Sequence, residues 1–119
     1  MIEYVDPIPP VLRMLSPLFK DRARVYGNTF PTNFSLPAIL IRNAGGDEYT
    51  RLQVLVRGNS DIEVMRLLID VMNTLERNAS VIDLRGVWIE KESNPLPDVD
   101  EDTGKPEAWC YMRMEHLEA

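Results

Sequence analysis

The sequence contains few of the residues from which disulfides and metal sites are built. Only one cysteine, Cys110, and one histidine, His116, occur among its 119 residues. A single cysteine cannot form an intramolecular disulfide, which favours a cytosolic origin. A single histidine excludes a metal site made from several histidines of one chain. We therefore expect neither a structural disulfide nor a histidine-rich metal site.

Long apolar runs are also missing. No stretch reaches the roughly 20 apolar residues of a transmembrane helix. The N-terminal sequence MIEYVDPIPP lacks the basic and apolar regions of a signal peptide. We expect a soluble protein that is made in a cytoplasm and does not bind membranes.

Lysine is scarce, and acidic residues are in excess. The chain has 13 lysines and arginines against 19 aspartates and glutamates, a formal net charge of −6. This charge repels nucleic-acid phosphates over most of the surface, although DNA could slide past without being held. Ten of the 13 basic residues are arginine, whose planar fork is favoured in interface ion pairs. The arginines considered for such pairs are Arg51, Arg57, Arg66, Arg77, Arg85 and Arg113. Of these, Arg51, Arg57 and Arg113 are our candidate interface residues.

The chain does have enough apolar material for one core. Hydrophobic residues make up 45% of the sequence, and 119 residues are most economically one domain, 1–119. The most informative stretch begins at Leu36. It predicts a strand at Leu36–Ile41, a Gly-Gly turn at Asn43–Asp47 and an alternating strand at Tyr49–Arg57.

A helix with a clear start follows this second strand. Gly58 breaks the strand, and Ser60 with Glu63 forms a capping-box pattern. Asn78 is predicted to end the helix. The face that we expect to be buried consists of Ile62, Met65, Leu68, Ile69, Met72 and Leu75.

Weaker elements precede this stretch. Residues 6–19 predict an N-terminal helix that Pro17 shortens or kinks. A brief strand at Ala23–Tyr26 and a polar loop follow.

After the second helix, Val81–Glu92 predicts a strand with a bulge at Gly86, and Ala108–Leu117 predicts a final strand. If Trp88 and Trp109 lie on neighbouring strands, their rings could pair in a core or an interface. The predicted fold is α+β, with a single antiparallel or mixed β-sheet packed by two helices. The element order is α-β-β-β-α-β-β.

An acidic, proline-bearing connection before the last strand invites comparison with a calcium-binding EF-hand loop. Such a loop needs glycine at its sixth position and glutamate at its twelfth. Counted from the first aspartate of the run, this sequence has Thr103 and Trp109 at those positions. We therefore expect a solvated or interfacial loop rather than a metal site. Its candidate interface residues are Asp98, Asp100, Glu101 and Asp102.

No residue cluster indicates catalysis. Cys110 lies in an apolar strand face, and nothing in the sequence nominates a base or an oxyanion donor for it. His116 is expected at the surface. The Gly45-Gly46 pair lacks the spacing and the following helix of a phosphate-binding loop. We expect no enzymatic activity and no cofactor.

Several motifs occur in a recognisable order after the short N-terminal helix. The strand and turn LPAILIRNAGG precede the arginine-bearing strand YTRLQVLVRG and the helix SDIEVMRLLIDVMNTLE. The strand GVWIEKES, the loop NPLPDVD and the aromatic strand AWCYMRMEHLE follow. In this order and spacing they resemble the tail terminator, or tail-completion, proteins of long-tailed bacteriophages.

The resemblance implies a structural virion protein of the tail or neck, made in the host cytoplasm. Such proteins form a ring, usually hexameric, that caps the growing tail tube, ends its polymerisation and takes part in head–tail joining. The implied partners are copies of the same chain, the major tail tube protein and a head-completion or stopper protein. DNA would pass the lumen without specific binding. The loop from Asp98 to Asp102 is the leading candidate for contact with a neighbouring copy or the tube.

Two other functions fit the same sequence. One is a different ring of the phage neck, a head-completion or adaptor protein. The other is a small ligand-binding regulatory α+β domain. Neighbouring genes for tube and tape-measure proteins would favour the phage functions, and a small molecule retained through purification would favour the regulatory one.

Overall fold

Residues 4–117 are described in a computed structural model of the chain. The elements are α1 Ile8–Phe19, β1 Arg24–Gly27, β2 Ala38–Asn43, β3 Thr50–Arg57, α2 Asp61–Arg77, β4 Arg85–Lys91, β5 Leu96–Val99 and β6 Pro106–Leu117. The predicted α+β class and element order are confirmed. One further short strand, β5, forms within the acidic connection.

The strands form one mixed sheet in the order β1-β2-β3-β6-β4. The β1–β2 pair is parallel and the others are antiparallel. The long strand β6 pairs with β5 along its first part and with β4 along its second part. No helix within residues 4–117 is long and apolar enough to cross a membrane.

Both helices pack on one face of the sheet. The alternation predicted for β3 places Leu52, Val54 and Val56 on this face, all fully buried. Their register partners on β6 are Met112, Cys110 and Ala108, which are buried too. Burial of aliphatic side chains at about 1.5–3 kcal/mol each makes this layer the main stabilising part of the fold.

Helix α2 begins as its capping pattern predicts. The Ser60 hydroxyl oxygen accepts a hydrogen bond from the Glu63 backbone N–H at 3.1 Å. The Glu63 carboxylate in turn accepts from the Asn59 backbone N–H at 2.9 Å. Asn78 ends the helix, and its backbone N–H donates to the Thr74 carbonyl. Donors of the first turn and an acceptor of the last are thereby satisfied.

The predicted buried face of α2 is partly wrong. Ile62 is 71% exposed and Ile69 is 42% exposed. The helix has two overlapping apolar stripes that share Leu68, Met72 and Leu75, and sequence spacing does not choose between them. The sheet buries the stripe that consists of Val64, Leu67, Leu68, Val71, Met72 and Leu75.

Helix α1 runs through Pro17 to Phe19 instead of ending there. Pro17 lies in the last turn, where its missing N–H removes a single intrahelical hydrogen bond. The buried side chains Ile8, Val11, Leu15 and Phe19 recur at helical spacing on both sides of it and hold the last turn against the sheet.

Strand β4 contains the predicted bulge. Its register with β6 shifts between Arg85 and Trp88, and Gly86 has a φ of +61°. The strand begins later than predicted because Ala79–Val81 forms a 3-10 turn instead. The two tryptophan rings do not pair. Trp88 lies opposite Glu115 near the end of β6, whereas Trp109 lies near its start and packs edge-on against Tyr111.

Candidate interaction surface

The second face of the sheet carries no helix within residues 4–117. Strand alternation brings the candidate residues Arg51, Arg57 and Arg113 together on this helix-free face, since each lies opposite the buried parity of its strand. Aromatic side chains lie among them. These are Tyr26, Phe30, Phe34, Tyr49, Trp109 and Tyr111. Arginine and aromatic residues are the types enriched in protein interfaces.

Arg57 is the most connected residue of this face. Its Nε donates to Glu107 Oε2 at 2.7 Å, and its Nη2 lies 3.3 Å from Asp100 Oδ1. Its guanidinium carbon lies 4.9 Å from the centre of the Phe30 ring and 5.8 Å from that of Phe34. Only 18% of the Arg57 side chain is exposed. Arg57 therefore ties the loop between β1 and β2 to the hairpin formed by β5 and β6.

Arg51 forms a second, more exposed pair. Its Nε and Nη2 donate to the two carboxylate oxygens of Glu92 at 3.2 and 2.9 Å. The hydrogen bond from Arg51 lowers the pKa of Glu92, and the same bond raises the pKa of Arg51. The guanidinium also lies over the Tyr111 ring at 5.1 Å.

Arg113 is held more loosely. Its guanidinium carbon lies 4.0 Å from the centre of the Tyr49 ring, and its Nε lies 3.5 Å from Glu115 Oε2. Each of the three candidate arginines thus has a carboxylate partner within its own chain. Their contact with another subunit remains a prediction.

The four acidic candidates divide into two structural roles. Asp100 accepts hydrogen bonds from the Thr103 hydroxyl at 2.6 Å and from the Thr103 backbone N–H at 3.0 Å. The hydroxyl bond is the main cause that lowers the pKa of Asp100. Asp98 accepts from the Val99 backbone N–H at 2.8 Å and from Trp109 Nε1 at 3.3 Å. These two carboxylates shape the hairpin.

Glu101 and Asp102, by contrast, are exposed at the tip of the β5–β6 turn. Neither forms an ion pair within the described part of the chain. Residues 4–117 contain no group of three metal-ligating side chains. The tip therefore presents two uncommitted negative charges on a turn that Asp98 and Asp100 fix in shape.

Charge changes sign across the helix-free face. The strand registers align Arg24, Ala38, Arg57, Glu107 and Asp98 in one row from β1 to β5. The row is basic at the β1 edge and acidic at the β5 edge. The β1 end and the β5 end of this row therefore differ in charge.

A groove of about 460 Å³ lies beside the basic end of this row. It is bounded by the connection from α1 to β1 and by the loop before β2. Its basic side chains are Lys20, Arg22 and Arg24, with Asp21 as the one acidic residue of the lining. Arg22 pairs with Asp70 of α2 at 2.9 Å.

We did not predict this groove from the sequence. Lys20, Arg22 and Arg24 stand close together in the run KDRAR, which connects α1 to β1, and only Arg24 belongs to a strand. Only the fold shows that a loop 10 residues further along closes the groove with Phe34, Leu36 and Pro37.

A larger cleft of about 810 Å³ opens at the other end of the sheet, between the β2–β3 turn and the end of β6. His116 and Glu115 line it, and its lining contains no cysteine, serine or lysine.

Cys110 does not line this cleft. It is fully buried under α2, where burial raises the pKa of its thiol to about 12. A buried neutral thiol is a poor nucleophile.

No known protein family matches the chain, and no curated protein is significantly similar to it in sequence.

Proposed function

We propose that this chain is a structural virion protein of a long-tailed bacteriophage, a tail terminator. In this role it forms a ring on the end of the tail tube, ends tube polymerisation and provides the surface on which the head is joined. Its partners are further copies of itself, the major tail tube protein and a head-completion protein. It makes and breaks no covalent bond.

The order and spacing of the motifs carry the proposal. LPAILIRNAGG forms β2 and the glycine turn, YTRLQVLVRG forms β3, and SDIEVMRLLIDVMNTLE forms α2 with its N-cap. AWCYMRMEHL, residues 108–117, forms most of the long strand β6. These four motifs therefore form the strands and the helix predicted for them, whereas NPLPDVD, predicted as a loop, contains strand β5.

The form of the sheet supports a role in assembly. A chain of this size can stop a polymer only by covering its growing end, which a closed ring of copies does well. Ring interfaces are heterologous and need two different complementary surfaces on each copy. In the described sheet the β1 edge is basic and the β5 part of the opposite edge is acidic, and this difference fits such a pair of surfaces. The net charge of −6 is also compatible with a lumen through which DNA slides.

Electron microscopy of particles assembled without this protein tests the function. Overlong tails, or heads and tails that stay unjoined, are the expected result. Tails of normal length with unjoined heads would instead favour a head-completion or adaptor ring. Normal, infectious virions made in the absence of the protein would exclude both.

A further inference from the structure

The groove beside β1 and the turn of the β5–β6 hairpin carry opposite charge. We propose that the groove beside β1 receives the β5–β6 hairpin turn of a second copy of this chain. Glu101 and Asp102 of one copy would then face Lys20 and Arg24 of the next. The proposal rests on the proposed function only in assuming that the chain assembles with itself.

The charges of the groove are available for a partner. Lys20 and Arg24 are exposed, and neither forms an ion pair within residues 4–117. Arg22 is already paired with Asp70, so two uncommitted cations line the groove against one anion, Asp21. The hairpin tip supplies the opposite sign. Opposed charges of this kind fix the register of an interface and reject wrong partners.

Apolar surface is also present on both sides. On the hairpin, Leu96 is 48% exposed and Val99 is 54% exposed. They lie on opposite faces of β5, Leu96 beside Trp109 on the helix-free face and Val99 beside Pro106 on the other. The groove offers Phe34, Leu36 and Pro37. An apolar centre with a charged rim is the usual composition of a stable interface.

The hairpin cannot fill the groove of its own chain. β1 and β5 are four strand spacings apart, which is roughly 19 Å across the sheet. Arg57 and the Asp100–Thr103 bonds also hold the turn in place. Because Arg57 holds the turn through Asp100, the turn is not seated on Lys20 and Arg24 of its own chain, and the proposed contact joins two copies. Repetition of such an edge-to-edge contact gives a ring where the rotation closes.

Cysteine cross-linking tests this contact directly. The native Cys110 is buried, so introduced cysteines dominate the reaction with a short bis-maleimide. A mixture of Arg24→Cys and Asp102→Cys chains should give at least ten-fold more covalent dimer than either chain alone. A chain that carries both substitutions should give a ladder that stops at one closed oligomer.

The matched control places the second cysteine on the β2–β3 turn. Asp47, like Asp102, is an exposed acidic residue, but it lies away from the β5 edge. Asp47→Cys is therefore the matched control for Asp102→Cys. If the mixture of Arg24→Cys and Asp47→Cys cross-links as well as the mixture with Asp102→Cys, the proposed contact is wrong.

Charge exchange gives an independent readout on exposed residues. Chains with Leu36→Cys are mixed with chains with Val99→Cys, and the yield of cross-linked dimer is measured. Adding K20E/R24E to the Leu36→Cys chain, or E101K/D102K to the Val99→Cys chain, should lower this yield several-fold. Making both changes, so that an acidic groove meets a basic turn, should restore it. D47K/E48K, which carries the same charge change elsewhere, should leave the yield unchanged. Failure of the exchange to restore the yield would count against the contact.

The two proposals fail separately. A closed cross-linked oligomer together with normal virions in the absence of the protein would leave the edge contact and remove the tail function. Overlong tails in its absence, with cross-linking no better than the Asp47→Cys control, would leave the tail function and remove the edge contact.

Discussion

Arg57 and Glu107 are register partners on adjacent strands, and the Arg57 Nε lies 2.7 Å from Glu107 Oε2. The pair is mostly shielded from water, with 18% of the arginine and 9% of the glutamate side chain exposed. Since Arg57 also contacts Asp100 and two phenylalanine rings, it joins three segments that are distant in sequence.

Replacing Arg57 by alanine should lower the free energy of unfolding by about 2 kcal/mol or more, because Glu107 would be left partly buried without its partner. Arg57→Lys should be intermediate, since lysine keeps the charge but loses the planar fork and the stacking on Phe30. Urea denaturation followed by circular dichroism measures both.

Arg13 provides the control for this loss. Its Nη2 lies 3.9 Å from Asp83, and both side chains are largely exposed. Arg13→Ala should therefore cost less than about 1 kcal/mol. Equal losses for Arg13→Ala and Arg57→Ala would show that the Arg57 network adds no stability.

Acid should destabilise the β5–β6 hairpin, because it protonates Asp100. Its pKa in the folded chain lies below the ordinary value of 3.8, because the Thr103 hydroxyl and Arg57 favour the ionised form. A lowered folded pKa stabilises the fold above the ordinary pKa, and this stabilisation disappears as the pH falls through the folded pKa.

Asp100→Asn should consequently unfold at lower urea than the parent chain near neutral pH, and the difference should shrink as the pH falls below 3.8. Asp102→Asn is the matched control, since its carboxylate is exposed at the same turn. A difference between Asp100→Asn and the parent that stays constant down to acid pH would argue against this role of Asp100.

Alanine substitutions at Gly45 and Gly46 in the β2–β3 turn can separate the cost of backbone strain from the cost of a steric clash. Both have positive φ, +86° and +106°. A Cβ at Gly45 would meet nothing within 4 Å, whereas a Cβ at Gly46 would collide with the Tyr49 carbonyl oxygen and lie 3.0 Å from the Arg51 nitrogen.

Gly45→Ala should therefore cost about 1–2 kcal/mol from the left-handed backbone alone, and Gly46→Ala should cost clearly more. Thermal unfolding of the two variants, measured side by side, checks the order. Equal losses would mean that the turn relaxes around the new methyl group.

Local patterns predicted much of this fold. The alternation of β3, the Ser60 cap, the glycine turn and the bulge at Gly86 each depend on residues within a few positions of one another. Such signals are readable without knowing the tertiary structure.

The features that depend on distant residues were not predictable in this way. The partner of Arg57 is 50 residues along the chain, and the groove beside β1 needs a loop to close it. The choice between the two apolar stripes of α2 likewise depends on how the helix lies on the sheet. Strand β5 forms because β6 offers it a free edge, not because LPDV favours a strand.

The Ser60 cap should account for a measurable part of the stability of α2. Ser60→Ala removes the acceptor for the Glu63 backbone N–H and should lower the free energy of unfolding by about 1 kcal/mol. Ser80→Ala, at an exposed position after the helix, is the control. A cost for Ser60→Ala no greater than that for Ser80→Ala would mean that water replaces the cap.

Cys110 should be almost unreactive while the chain is folded. Its thiol is fully buried, and burial raises its pKa from 9.0 to about 12. The thiolate is the reactive form, so at a fixed mildly alkaline pH this shift alone should slow reaction with a disulfide reagent by roughly 1,000-fold relative to the unfolded chain. Stopped-flow measurements in buffer and in denaturing urea give the two rates, and Asp102→Cys serves as the exposed control. A native rate for Cys110 within about ten-fold of the unfolded rate would show that α2 opens readily from β6.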